Sequence, residues 1–143
     1  MPRPEPLLEL PCICASMRRA TRAVTRLYDR ELRETALRST QFTLLQALHL
    51  AGTITQGDLD LLLTLDSTTL SRSLQPLVEA GWVKSERGDD RRERHLRLTA
   101  SGERKFQEAL PAWRRAQHKI TKAIGRDWDR LERDLRQIAG SVA

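Results

Sequence analysis

Two short helical segments joined by a tight turn, with an arginine-rich hairpin directly behind them, constrain this chain more than any other feature. The stretch runs from Thr55 to Thr99. Thr55 with Asp58 three residues on predicts a capped helix start, and the carboxylate adds favourable charge near the positive helix end. Asp66 or Ser67 then opens a second helix. Along it Leu70, Leu74, Leu77 and Val78 cluster on one side, while Thr68, Ser71, Arg72 and Gln75 project from the other by the 3.6-residue period. Pro76 is expected to remove a hydrogen bond and bend the rear half, leaving the front half as a straight surface. Trp82–Arg87 and Arg94–Leu98 alternate as strands do, and residues 88–93 join them. The expected fold class is therefore mainly α with a small β-hairpin wing. This is a winged helix-turn-helix, a layout that sets one helix in a DNA groove with a basic wing beside it.

On either side of this unit lie long amphipathic segments. Residues 1–10 form a proline-punctuated arm, and Pro11 suits the opening of a helix. Ile13, Met17, Ala20, Val24, Leu27 and Tyr28 then mark one helix face to about residue 35, with Arg18, Arg19, Arg22, Arg26, Arg30 and Arg33 on the other. Ser39 or Thr40 is expected to cap a helix through Leu48 that ends near Gly52, burying Phe42, Leu45 and Leu48. Beyond Thr99 a helix carries Phe106, Leu110, Trp113, Ile120 and Ile124 along one face, with a kink expected at Pro111. A final helix repeats Trp128, Leu131, Leu135 and Ile138 in near-heptad spacing. The chain thus divides into an N-terminal arm and first dimerisation helix (1–38), a DNA-binding lobe (39–99) and C-terminal dimerisation helices (100–143). Terminal helices with apolar stripes need a partner surface, which points to a homodimer.

The formal net charge is +6 and 31% of residues are charged, which suits a polyanionic partner. The charge is unevenly placed: between residues 41 and 80 the only arginine is Arg72, against Asp58, Asp60, Asp66 and Glu79. Apart from Arg72 the lysines and arginines lie outside that stretch, among them those of the first helix and the wing. The chain has no nucleophile elbow, glycine-rich phosphate loop, clustered carboxylate pair or HExxH spacing, so an enzyme is not expected. No cofactor or metal is expected either. The segment before Pro11 carries prolines and acids that do not suit a signal peptide, and no run approaches the roughly 20 apolar residues of a membrane span. The expectation is a soluble, cytoplasmic protein, where Cys12 and Cys14 stay free thiols unless they serve redox or metal chemistry.

Leu65-Asp66-Ser67-Thr68-Thr69-Leu70-Ser71-Arg72, Leu77, Gly81-Trp82-Val83, Asp90-x-Arg92 and Leu98-Thr99-x-x-Gly102 occur in order and at spacings that resemble the MarR family of bacterial transcriptional regulators. The resemblance covers nearly the whole chain. It implies a homodimer in which the first, fifth and sixth helices of two chains interlock and each chain brings one winged helix to a palindromic operator in double-stranded DNA. It also implies that Arg92 lies at the minor groove and that Asp90 orients it, in keeping with the attraction of arginine to a narrow minor groove. The remaining DNA-contact candidates are Ser67, Thr68, Thr69, Ser71, Arg72 and Gln75 on the helix and Arg91 and Arg94 on the wing. Arg72 is suited to a bidentate contact with guanine or a phosphate. The rival reading is a winged helix used only for dimerisation or protein contact. Such a module does not need arginines at the wing tip or on the free helix face.

The signal-receiving side is less defined. Cys14 falls where the organic-hydroperoxide sensors of that family keep their reactive cysteine, and Tyr28 matches one of the tyrosines around that thiol. Arg18 and Ser39 stand where the others would be. Cys14 in a first helical turn with Arg18 one turn onward is placed to favour thiolate over thiol. The alternative is that Cys12 and Cys14 are small apolar packing groups. A metal-sensing version would need His49 or His118 beside the cysteines, and no paired ligand spacing supports it. A small aromatic effector held in a cleft near Tyr28, Phe42 and Trp113 is the other reading of regulation, and those residues equally suit the core.

Overall fold

The structure, a computed structural model, describes residues 11–90 and 92–142. The N-terminal arm and Arg91 lie outside the described residues. Along the chain come helix α1 (Ile13–Leu32), a 3-10 turn (Arg33–Thr35), α2 (Ser39–Ala51), strand β1 (Ile54–Thr55), α3 (Gln56–Leu63) and α4 (Ser67–Glu79). They are followed by β2 (Val83–Arg87), β3 (Arg94–Leu98), α5 (Ala100–Ile124), a second 3-10 turn (Gly125–Asp127) and α6 (Trp128–Val142). The class is as expected, mainly helical with a small antiparallel sheet as the wing.

Several boundaries differ from expectation for identifiable reasons. Helix α1 opens at Ile13 with Cys12 as its extended N-cap, so Pro11 precedes the helix instead of starting it. It ends at Leu32, where the chain tightens and the Thr35 hydroxyl donates to the Leu32 carbonyl at 2.6 Å; Ala36 then turns left-handed at φ 58°. Neither Ser39 nor Thr40 caps α2. Arg38 is the N-cap residue, its N–H donating to Gln41 Oε1 at 2.9 Å, while Ser39 N–H is taken by Asp29 Oδ1 of α1 at 2.8 Å. Thr55 and Asp66 cap α3 and α4, their side chains accepting from Asp58 N–H at 3.1 Å and Thr69 N–H at 2.8 Å. Helices α4 and α5 run on past Pro76 and Pro111.

The hairpin gains a third strand. β1 pairs with β3, Ile54 opposite Leu96, giving the antiparallel order β1-β3-β2; β2 pairs Val83 with Leu98 and Arg87 with Arg94. Trp82 is not in the strand, because its N–H returns to the Leu77 carbonyl at 3.0 Å while Gly81 N–H returns to Val78. This double closure is the Schellman ending of α4, and it needs the left-handed Gly81, φ 77°. The Trp82 carbonyl then accepts from Thr99 N–H at 3.0 Å, and the Thr99 hydroxyl donates to the Gly81 carbonyl at 2.5 Å while accepting from Gly102 N–H at 3.0 Å. One node therefore ties the end of α4, the base of the wing and the start of α5.

The core lies where α2, α4, the sheet and α5 meet, built on Phe42, Leu45, Leu70, Leu77, Leu96 and Phe106. On α5 the buried face is Phe106, Ala109, Ala112 and Ala116; Ile120 and Ile124, expected on that face, remain half-buried. Helices α1 and α5 pack against each other, and Glu31 of α1 accepts from Arg115 at 3.3 Å and from Lys119. None of the α6 residues described is buried, and Leu135 and Ile138 are 41% and 40% exposed.

Candidate nucleic-acid interface

Helix α4 turns its leucines inward because Leu70, Leu74 and Leu77 recur every three or four residues, and this fixes what faces out. Ser67, Thr68, Ser71, Arg72 and Gln75 are all exposed. Asp66, not Ser67, caps the helix, and it binds Thr69 twice: the backbone N–H to Oδ1 and the hydroxyl to Oδ2, both at 2.8 Å. Those bonds, the backbone one first, hold the Asp66 carboxyl below the ordinary carboxylate range. The Thr69 hydroxyl hydrogen is thus committed to the cap, so Thr69 can offer DNA only its oxygen and methyl. The Arg72 guanidinium has no carboxylate or hydrogen-bond partner among the described residues, and Gln75 donates to Glu79 at 2.9 Å.

In the wing, Gly88 N–H donates to the Glu93 carbonyl and Glu93 N–H to the Asp90 carbonyl, both at 2.9 Å, closing the tip. Asp90 Oδ1 accepts the backbone N–H of Arg92 at 3.1 Å. Asp90 therefore shapes the turn that presents Arg92. Arg94 Nε donates to Ser85 Oγ at 2.8 Å, and Lys84 pairs with Glu86 at 2.7 Å, which holds the Glu86 carboxyl down. The His95 ring lies close over Gly88, and a Cβ there would have to displace it.

Two further side chains belong to this surface that the sequence reading left out. Gln56 Nε2 of α3 donates to Ser71 Oγ of α4 at 2.8 Å, and Ser85 holds Arg94. Nothing in one dimension links Gln56 to Ser71. The hairpin register could have found Ser85, because it stands opposite Leu96 and so diagonal to Arg94.

On α1 and its N-cap, Cys14 and Cys12 are exposed free thiols. Cys14 and Arg18 border one depression on α1, with Ile138 of α6 at its rim. Tyr28 does not join them within a chain: fourteen residues on, it lies about 21 Å further along the helix. Its hydroxyl donates to Gln117 Oε1, and burial pushes the phenol up. Tyr28 and Trp113 do share a cleft of about 280 Å³ with Phe42, whose ring stacks on Trp113 at 5.8 Å between centroids. His49 pairs with Glu103 at 2.7 Å, and no group of three His, Cys, Asp or Glu side chains able to hold a metal occurs among the described residues. No described helix is long and apolar enough to cross a membrane.

Comparison with known proteins bears on this surface. A MarR-family profile matches residues 37–93. An HTH-type transcriptional regulator of Bacillus subtilis, YwoH, is 30% identical over 89 residues, 62% of this chain and 65% of that relative's length. The M. tuberculosis transcriptional regulator MosR, solved in complex with DNA, is 35% identical and superposes with a TM-score of 0.83 over 91% of this chain and 95% of its own. A mutant MarR from E. coli complexed with operator DNA superposes at 0.79 over 88% of this chain and 92% of that one; at 24% identity the likeness is one of fold.

Proposed function

This chain belongs to the MarR family of transcriptional regulators, and from that premise we propose that it acts as a homodimeric, DNA-binding repressor on a palindromic operator in the cytoplasm. The carrying observation is the front of α4: an exposed polar face with Arg72 unpaired among the described residues, set beside a hairpin that presents Arg92 and Arg94. On this reading Arg72 reads a base, Arg92 enters the minor groove, and Ser67, Thr68, Ser71 and Gln75 meet backbone or base edges. A dimer would set two such surfaces about one helical turn apart, hence an inverted repeat. The uncovered faces of α1 and α6 support the dimer, with Ile13 77% exposed.

The test is binding of the purified protein to duplexes from the region upstream of its own gene, over a salt series. Arg92→Ala is expected to weaken all sequences and lower the salt slope by about 1. Arg72→Ala is expected to relax preference at one base position, at about 1–3 kcal/mol. No duplex binding by the wild type would favour the protein-interaction module instead.

A second reading concerns release. Cys14 is exposed in the first turn of α1 with Arg18 on the same face, which supports oxidation as the signal. An organic hydroperoxide would pass its terminal oxygen to the Cys14 sulfur, the thiol becoming a sulfenic acid and the peroxide an alcohol. The sulfenic acid would condense with a second thiol to a disulfide and water. Cys14→Ser is expected to keep DNA bound after peroxide while the wild type and Cys12→Ser release it. Retention by the oxidised wild type would leave a small aromatic effector in the Tyr28–Trp113 cleft as the account of release.

A further inference from the structure

A protein that lays one helix in a major groove and a hairpin in the adjacent minor groove must let one sugar-phosphate strand pass between the two elements. In this chain a depression of about 270 Å³ lies between α4 and the sheet, its polar rim of Gln56, Ser71, Gln75, Glu79, Ser85 and Arg94 standing beside Leu74, Val78 and Leu96. Two serine hydroxyls face this seam, and each oxygen already accepts from a neighbour: Ser71 from Gln56 Nε2 and Ser85 from Arg94 Nε, both at 2.8 Å. A hydroxyl whose oxygen is accepting still has its own O–H to give, and neither finds an acceptor among the described residues. Arg94 keeps both terminal nitrogens free of any carboxylate among the described residues. The one acid at the rim, Glu79, is engaged by Gln75 at 2.9 Å.

Resting on the DNA-binding reading above, we propose that this seam seats a single phosphodiester of the strand between the two grooves. Ser71 O–H and the Arg94 guanidinium contact the phosphate. Gln56 and Ser85 are positioning residues that hold these two in place. Gln56 thereby gives α3 a role in DNA binding although it does not itself touch the strand, and Ser85 fixes the plane of the Arg94 fork.

The experiment measures affinity of the full chain for a fluorescent mixed-sequence duplex of about three helical turns across a potassium chloride series. Arg94→Ala should flatten the salt slope by about 1, and Ser85→Ala should weaken binding without flattening it fully. Ser71→Ala should cost about ten-fold or more with the slope unchanged, the worth of one hydrogen bond from a neutral donor to a charged acceptor, and Ser71→Thr should retain binding. Gln56→Leu should match Ser71→Ala, and the double variant should lose no more than either single one, with thermal midpoints alike throughout. A purely structural Gln56 would instead cost as much in the Ser71→Ala background as in the wild type, which would overturn the inference. So would an unchanged slope in Arg94→Ala. Wild type that binds no duplex would remove the DNA-binding reading and this inference with it, whereas wild-type binding with unaffected variants removes only this one.

Discussion

Two backbone positions with opposite requirements set the limits on what single residues of this chain tolerate. Gly102 sits where the start of α5 crosses the Trp82 carbonyl, so closely that a Cβ would fall onto the carbonyl oxygen and 2.8 Å from its carbon. The neighbour is backbone, held by Thr99 N–H, and cannot rotate away. Gly102→Ala is expected to destabilise by about 3 kcal/mol, read as a lower urea midpoint, because overlap with a pinned backbone has no inexpensive relief. Thr64 is the reverse case. This β-branched residue adopts φ 53° in the turn between α3 and α4, a conformation disfavoured for side chains with a Cβ. Thr64→Gly should raise the urea midpoint, worth about 0.5–1 kcal/mol after the added freedom of the unfolded glycine is deducted.

At the scale of elements, the front of α4 depends on one carboxylate. Asp66 accepts two bonds from Thr69, and its carboxyl is held below its ordinary value of 3.8, the backbone bond acting most. A depressed carboxyl contributes stability that is fully present above the unfolded value and is lost as pH falls through the folded one. The first turn of α4 should therefore fray below about pH 4. Asp66→Asn, which retains a capping oxygen, should stay near wild type at pH 7 and show a smaller loss of stability on acidification. Asp66→Ala should be weaker at both pH values and bind DNA less well. Urea melts at neutral and acid pH check all three; equal acid sensitivity in Asp66→Asn would show that another group governs that range. The wing illustrates the same scale from the other direction. The alternation around Trp82–Arg87 and Arg94–Leu98 was legible as a hairpin, yet β1 was not, because Ile54 and Thr55 form a two-residue strand only through pairing with Leu96 and His95.

At the scale of the molecule, the DNA-binding lobe and the terminal helices are mechanically joined. His49 at the end of α2 meets Glu103 in the first turn of α5 at 2.7 Å and packs on Phe106 at 4.5 Å between centroids. Any shift of the terminal helices would therefore reach the lobe that carries α4. On the homodimer proposed above, the apolar faces of α1 and α6 left uncovered in the single chain would be the surface through which a second copy imposes such a shift. Light scattering should return about twice the 16.4 kDa chain mass. Leu135→Glu combined with Ile138→Glu should reduce that mass or unfold the chain, with circular dichroism separating the two outcomes. A concentration-independent wild-type monomer would end the dimer proposal.

What the sequence determined by itself is local. Helix starts at Thr55 and at Asp66 or Ser67, the inward leucines of α4 and the outward Arg72 all follow from residues within a turn or two of each other, where spacing and capping chemistry act directly. The tertiary structure decided whatever depends on groups remote along the chain. Asp29 of α1 takes the Ser39 amide and moves the cap of α2 to Arg38, and the Trp82 carbonyl makes Gly102 obligatory. Asp90 grips the Arg92 amide within its turn, which the motif alone did not distinguish from a side-chain contact. Gln56 reaches Ser71 across fifteen residues, while within one chain Tyr28 and Cys14 are set about 21 Å apart by the rise of their own helix. Periodicity states which way a side chain faces; only packing states what it meets there.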